Sequence, residues 1–353
     1  MEERISKIEQ SIQNLKDKNA RIYFFVQDTK GNAKASVRYI YQMSYLLKES
    51  GYNTIMLHEK PDYYGVQSWL PSKYSELPHK SVEGQNLEIS PEDFIVVPEI
   101  FGYIMSQISN LPCGKIVLSQ AYDHVFETLN PGQSWPMLGF NKCITTSEKQ
   151  KEYLSNTMRG VSFDILEPYI SNVFEKSKFP AKPTISILSR EQRDSINIIK
   201  SFYQKFPQFR WITFRDMRSM TEEEFANNLK ESMLSVWVDT TSSFGTFPLE
   251  SMKLGVPVIG KVPNLIPDWM SEKNGVWVND YLKIVDYIAD FIQNWLEDNI
   301  SEELYTSAEE TALKYSSEEN FNNSVNRIFE SYFTIRIGNF ESELNKLNSN
   351  VNV

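Results

Sequence analysis

Asp239-Thr240-Thr241-Ser242-Ser243-Phe244-Gly245-Thr246-Phe247-Pro248-Leu249-Glu250-Ser251-Met252-Lys253-Leu254-Gly255-Val256-Pro257-Val258-Ile259-Gly260 follows an apolar run, Met233 to Val238, that predicts a strand. The strand opens into a loop of small hydroxyl residues and one glycine. Pro248 near a first helical position and Gly255 just past the end mark a short helix, and Val256 to Ile259 predicts the next strand. Phe247, which precedes Pro248, has no side-chain oxygen to cap the helix. Its first-turn amides then lack a local partner, and such a helix start attracts anions. Glu250, read into that first turn, is placed to hold a ligand hydroxyl beside the anion.

Outward from this stretch, the same alternation recurs. Thr184 to Leu188 predicts a strand, Ser189 to Arg193 a polar loop, Ser195 to Phe206 a helix and Phe209 to Phe214 a strand. Thr221 and Glu224 have the spacing of a capping box before a helix that ends near Glu231. Towards the N-terminus, Arg21 to Val26 is a buried-strand run that opens into Gln27-Asp28-Thr29-Lys30-Gly31-Asn32-Ala33, followed by a helix over 36–49 and a strand over 52–57. Phe94 to Val97 is a short strand that ends at Pro98-Glu99. Lys115 to Leu118 is another, opening into Ser119-Gln120-Ala121-Tyr122-Asp123-His124. Polar groups thus gather repeatedly at strand carboxyl ends, where doubly wound parallel sheets bind ligands. Residues 58–92, rich in Tyr, Ser and Pro and including Trp69, read as irregular surface structure suited to an acceptor site.

The chain divides on this reading into an N-terminal helix (1–19), a Rossmann-like domain (20–170), a Pro-interrupted linker (171–183), a second Rossmann-like domain (184–320), and a C-terminal helix returning towards the first domain with a tail (321–353). The tail is expected to lose order beyond about Asn345. Ile5, Ile8, Ile12 and Leu15 recur at helical spacing in a segment of mixed charge, which predicts a helix docked on its own domain or on a second copy. The fold class is α/β, with two Rossmann-like domains facing across a cleft.

The 353 residues are 41% hydrophobic and 23% charged, as in a globular protein, and the net charge of −10 disfavours a polyanionic partner such as nucleic acid. Two cysteines, Cys113 and Cys143, are too few for a disulfide framework, and three histidines without a Cys/His cluster offer no structural metal site. No run approaches the ~20 apolar residues of a membrane span, and the N-terminus lacks the apolar core of a signal peptide. A cytoplasmic location is expected. Peripheral membrane association or a homo-oligomer is left open by the N-terminal helix.

The stretch from Ser242 to Gly260 resembles the donor-binding signature of GT-B fold glycosyltransferases, especially family 4 of the retaining enzymes. Phe244, Gly245, Glu250, Met252, Gly255, Pro257, Val258 and Ile259 match the family frame. The resemblance implies transfer of a hexose-like sugar from a nucleotide-sugar donor to a glycan, or to a lipid-linked or cell-surface polysaccharide acceptor. It also implies retention of configuration and no metal or other cofactor. Glu250 would hold the ribose. Gly245 and Thr246, with Gly31 and Asn32 from the first domain, would meet the diphosphate. Arg190 and Arg193 would neutralise the departing diphosphate, as guanidinium forks suit phosphate oxygens. Ser242, Ser243 and Phe244 would face the donor sugar, Met217 and Arg218 the base, and His124 and Gln120 the reacting centre. Ser242 departs from the family, which has a Glu there. A nucleotide-sugar epimerase of the same fold and a non-catalytic GT-B-like partner protein are the competing readings. A dehydrogenase is disfavoured because the loop after the first strand has no Gly-rich fingerprint.

Overall fold

The computed structural model describes residues 2–84, 87–176 and 181–351. Of the expected linker, residues 177–180 lie outside the described residues. The chain forms two units, Met1–Thr145 with Lys151–Leu166 and Glu319–Val353, and Thr146–Gln150 with Glu167–Glu318.

The first unit opens with α1 (Glu2–Lys16), β1 (Arg21–Phe25), α2 (Ala35–Glu49), β2 (Asn53–His58), β3 (His79–Ser81) and β4 (Phe94–Pro98). It continues with α3 (Gly102–Gln107), β5 (Gly114–Ser119), α4 (His124–Glu127), β6 (Lys142–Thr145), α5 (Glu148–Thr157) and β7 (Ser162–Ile165). The strands form one parallel sheet in the order β3-β2-β1-β4-β5-β6-β7, with Tyr23 level with both Ile55 and Ile95. A parallel sheet is covered on both faces, which is why β4 and, after Arg21, β1 are apolar and buried without alternation. The order runs one way from β1 to β3 and the other way from β4 onward, so the switch point lies between β1 and β4.

The second unit contains β8 (Lys182–Ser189), α6 (Gln192–Lys205), β9 (Thr213–Asp216), α7 (Glu222–Lys230), β10 (Ser232–Val238) and α8 (Thr246–Lys253). β11 (Val258–Lys261), β12 (Val276–Val278), α9 (Ile284–Leu296) and α10 (Glu302–Lys314) complete it. Its parallel sheet has the order β12-β11-β10-β8-β9, with Val236 level with Ile259 and Ile187. The switch point here lies between β8 and β10. Phe174, within the expected linker, is fully buried among Trp237, Phe247 and Met252 in this unit's core.

α11 (Glu318–Val351) returns to the first unit. Phe321, Val325, Ile328, Phe329, Tyr332 and Phe333 fall on one helical face and are all buried. The Phe333 ring lies 4.9 Å from that of Phe94 and 5.1 Å from that of Tyr52, and the Tyr332 hydroxyl donates to Asp164 at 2.8 Å. α1 docks on the same unit by Ile8, Ile12 and Leu15, while Ser11 and Asn14 donate to Glu92.

Three expectations need correction. Residues 58–92 are not irregular surface structure throughout: β3 pairs with β2, and Trp69, Leu70, Tyr74 and Leu77 are buried. Apolar residues spread among Pro and Ser hide their common burial from a periodicity reading. The strand expected over 209–214 is displaced to β9, because Pro207 starts a 3-10 turn (Pro207–Phe209) whose Phe209 turns into the core against Phe202. The helix of the last segment runs on to Val351, beyond the expected loss of order at Asn345.

Candidate functional site

In the second unit, the carboxyl ends of β8 and β10 meet at the switch point. The Arg190 amide donates to the Val238 carbonyl at 2.8 Å, and the Arg190 guanidinium stands 3.8 Å from the Asp239 carboxylate. The loops after these strands, far apart in sequence, thus come together here. Arg193 lies exposed in the first turn of α6.

The loop after β10 is built from its own side chains. The Asp239 carboxylate accepts the amides of Thr241 and Ser242, both at 2.9 Å, and the Ser242 hydroxyl accepts the Gly245 amide at 3.1 Å. Gly245 is the residue before α8, with φ +73°, and no side chain caps the helix. A Cβ at Gly245 would lie 2.8 Å from the Trp237 ring. A left-handed backbone and an indole pressed against it both demand glycine here. The helix starts two residues earlier than Pro248 suggested, which moves Glu250 from the first turn into the second. Thr246 and Phe247 supply the leading amides, because Pro248 has none.

Glu250 is only 2% exposed, and Phe244 and Ser243 are also buried. The Ser243 hydroxyl has no hydrogen-bond partner. Trp269 donates its indole N–H to the Phe244 carbonyl at 2.7 Å, and Asn274 donates to the Trp269 carbonyl at 2.6 Å. Trp237, Trp269 and Trp277 stand ring to ring at 6.5 and 5.6 Å behind the loop. This backing was not read from the sequence: three tryptophans spread over forty residues carry no local signal.

Met217 and Arg218 follow β9. Met217 is 2% exposed and packs in the apolar core. Arg218 bridges the switch region, donating from one guanidinium nitrogen to Asp216 at 2.7 Å and from the other to the Ser189 carbonyl and hydroxyl. Its guanidinium therefore ties the end of β9 to the end of β8.

In the first unit, Gly31 and Asn32 lie in the loop after β1. Lys30 and Gly31 are both left-handed, at φ +49° and +79°, and the Asn32 amide closes a turn onto the Thr29 carbonyl at 3.0 Å. Gln120 follows β5, and its side chain donates to the Ser36 carbonyl at 3.2 Å. His124 opens α4, with Nδ1 2.9 Å from a Glu127 oxygen. Asp123, His124 and Glu127 bring one ligand-type atom each within 4.8 Å of one another, a grouping common on acidic surfaces and not in itself a metal site.

Glu99, given no role by the sequence reading, lies between these loops. It directly follows β4 at the switch point and is buried. One carboxyl oxygen accepts the amides of Gln120 at 2.9 Å and Ala121 at 2.7 Å, while the other has no partner. Burial pushes its pKa up to about 7, against the two amides and the nearby His124, which pull it down. The available signal was a carboxylate ending an apolar strand.

No protein-family model and no curated protein matches the chain. Solved structures do. The chain is similar to sucrose-phosphate synthase from Thermosynechococcus elongatus, with a TM-score of 0.64 and 12% identity over 90% of this chain and 100% of that one. It is similar to Anabaena HepE, solved with UDP and glucose, with a TM-score of 0.65 and 11% identity over 88% and 99%. A glycosyltransferase from Rickettsia africae has a TM-score of 0.53 and 12% identity over 90% and 98%. The fold is therefore the two-sheet α/β fold of known glycosyltransferases.

Proposed function

We propose that this chain is a glycosyltransferase that moves a sugar from a nucleotide-sugar donor to a carbohydrate or lipid-linked glycan acceptor. One observation carries the reading. At the switch point of the second sheet, Arg190 is held beside the end of β10, and the loop there leads into the uncapped start of α8. Cationic side chains and open helix amides are what a diphosphate requires.

The roles follow. The Gly245 turn and the Thr246 amide, with Arg190 and Arg193, take the diphosphate of the donor. Glu250 takes the ribose. Negative charge grows on the diphosphate as it leaves, so these cations act most strongly in the transition state. With them in place, the reaction is metal-independent. The family resemblance alone assigns Gly31 and Asn32 to the diphosphate and Gln120 and His124 to the reacting centre. Ser243 and Phe244 face the donor sugar. Ser242 donates no charge there and uses its hydroxyl to hold the Gly245 amide, so the sugar is read by hydrogen bonds rather than by a carboxylate. Met217 and Arg218 border the base. Retention of configuration is carried over from the family resemblance, as is a role in polysaccharide biosynthesis. HepE is solved with UDP, which makes UDP and UDP-sugars the first donors to test.

The test is a thermal-shift series with nucleoside diphosphates. A bound nucleotide at about 100 times its Kd stabilises the fold by about 2.7 kcal/mol. Glu250→Gln should abolish most of that shift, and EDTA should leave it and turnover unchanged. No shift with any nucleotide would overturn the reading. Turnover of a nucleotide sugar without acceptor would favour an epimerase, and binding without turnover a non-catalytic partner.

A further inference from the structure

We propose that Glu99 is a positioning residue that holds the 120–128 loop closed in its protonated form and releases it on ionisation. The geometry is specific. One residue anchors both ends of that loop: its carboxyl takes the amides of Gln120 and Ala121, and its carbonyl takes the Thr128 hydroxyl at 2.9 Å. The Thr128 hydroxyl also reaches the His124 carbonyl at 3.2 Å, which ties α4 to the same point. Close packing allows little slack, since a Cβ at Gly102, three residues after Glu99, would lie 2.3 Å from the Thr128 carbonyl oxygen.

The second carboxyl oxygen gives the device its sense. It is buried and has no hydrogen-bond partner. An unsolvated oxygen is tolerable on a neutral carboxylic acid and much more costly on a carboxylate. The groups facing it are His124 from α4, which favours the charged form, and the buried Cys143 thiol from β6, which is itself pushed up. Burial outweighs His124 and the two amides, so the closed loop binds the proton more tightly than an opened loop with a solvated carboxyl. By linkage, closure is strongest below the ordinary carboxyl value of 4.5, weakens by roughly tenfold in the closing equilibrium per pH unit as pH rises from there to about 7, and levels off above it.

Amide hydrogen exchange followed by peptide mass spectrometry tests this without a substrate. After correction for intrinsic exchange, protection over 120–128 should be highest near pH 4.5, fall steadily up to about pH 7 and level off above it. Glu99→Gln, whose amide oxygen accepts the same two N–H groups without a charge, should remain protected across that range. An identical pH dependence in Glu99→Gln, or none in the wild type, would overturn the proposal. Should Glu99→Gln fail to fold, Thr128→Val decides. It removes the second anchor and should lower protection at every pH while keeping the fall between pH 4.5 and about 7, and an unaltered loop would count against the proposal. A kinetic arm rests on the glycosyltransferase reading: kcat should fall as pH rises from 4.5 to about 7 in the wild type but not in Glu99→Gln, with donor KM nearly unchanged. Absence of all turnover would strike that reading alone and leave the exchange result standing.

Discussion

Gly245 shows how much one residue position can carry. Its φ of +73° and the Trp237 ring 2.8 Å from a would-be Cβ both select glycine, and its amide is held by Ser242. We expect Gly245→Ala to destabilise the protein by about 2–3 kcal/mol through backbone strain and the clash, read as a lower urea midpoint. Nucleotide affinity should fall with it. Glu250 is the complementary case, a buried carboxylate whose loss should be felt in binding. A hydrogen bond to a charged group is worth about 1.5–3 kcal/mol, so Glu250→Gln should weaken nucleotide binding by roughly ten- to a hundredfold in a calorimetric titration. Gly245 and Glu250 were both legible from the sequence, because glycine and glutamate stood in a recognisable frame. Glu99 was visible there only as a carboxylate at a strand end. Its weight comes from burial and from Gln120 and Ala121, more than twenty residues on, and no local pattern encodes that distance.

Among the elements, the loop between β10 and α8 depends on a tryptophan outside it. Trp269→Phe removes the N–H that satisfies the Phe244 carbonyl and leaves a buried acceptor unpaired. We expect a loss of about 1–3 kcal/mol in stability, with a larger drop in nucleotide affinity than an equally destabilising change in α9, where no loop of the site is touched. Thermal melts with and without nucleotide separate the two effects. α7 illustrates the opposite case. Its capping box was read from Thr221 and Glu224 alone, and both halves form, at 3.1 and 2.9 Å. Caps are local and survive any tertiary context. β3 was missed for the converse reason: three residues beginning at a histidine become a strand only because β2 offers its open edge.

At the scale of the molecule, each unit has its own core and its own switch point. α11 is part of the first unit's core although it follows the second in sequence. Phe329, fully buried 6.0 Å from Phe24, stands for this return. Phe329→Ala should cost about 3–5 kcal/mol, seen as a lowered denaturation midpoint followed by the fluorescence of the first unit's Trp69 and Trp135.

The sequence by itself determined the class of fold, two successive strand–helix alternations, and placed polar loops at strand carboxyl ends. Periodicity, turn residues and caps act over a few residues, so they are written locally. Only the tertiary structure decided which loops meet. The reversal of strand order sets the end of β8 beside the end of β10, and the end of β4 beside that of β1. Arg190 thereby reaches Asp239, Arg218 turns back onto Ser189, and Glu99 grips Gln120. The helix start of the opening stretch, without a side-chain cap, was legible in advance. Its indole backing and the buried carboxyl under the 120–128 loop arise from packing between distant residues, where sequence spacing carries no information.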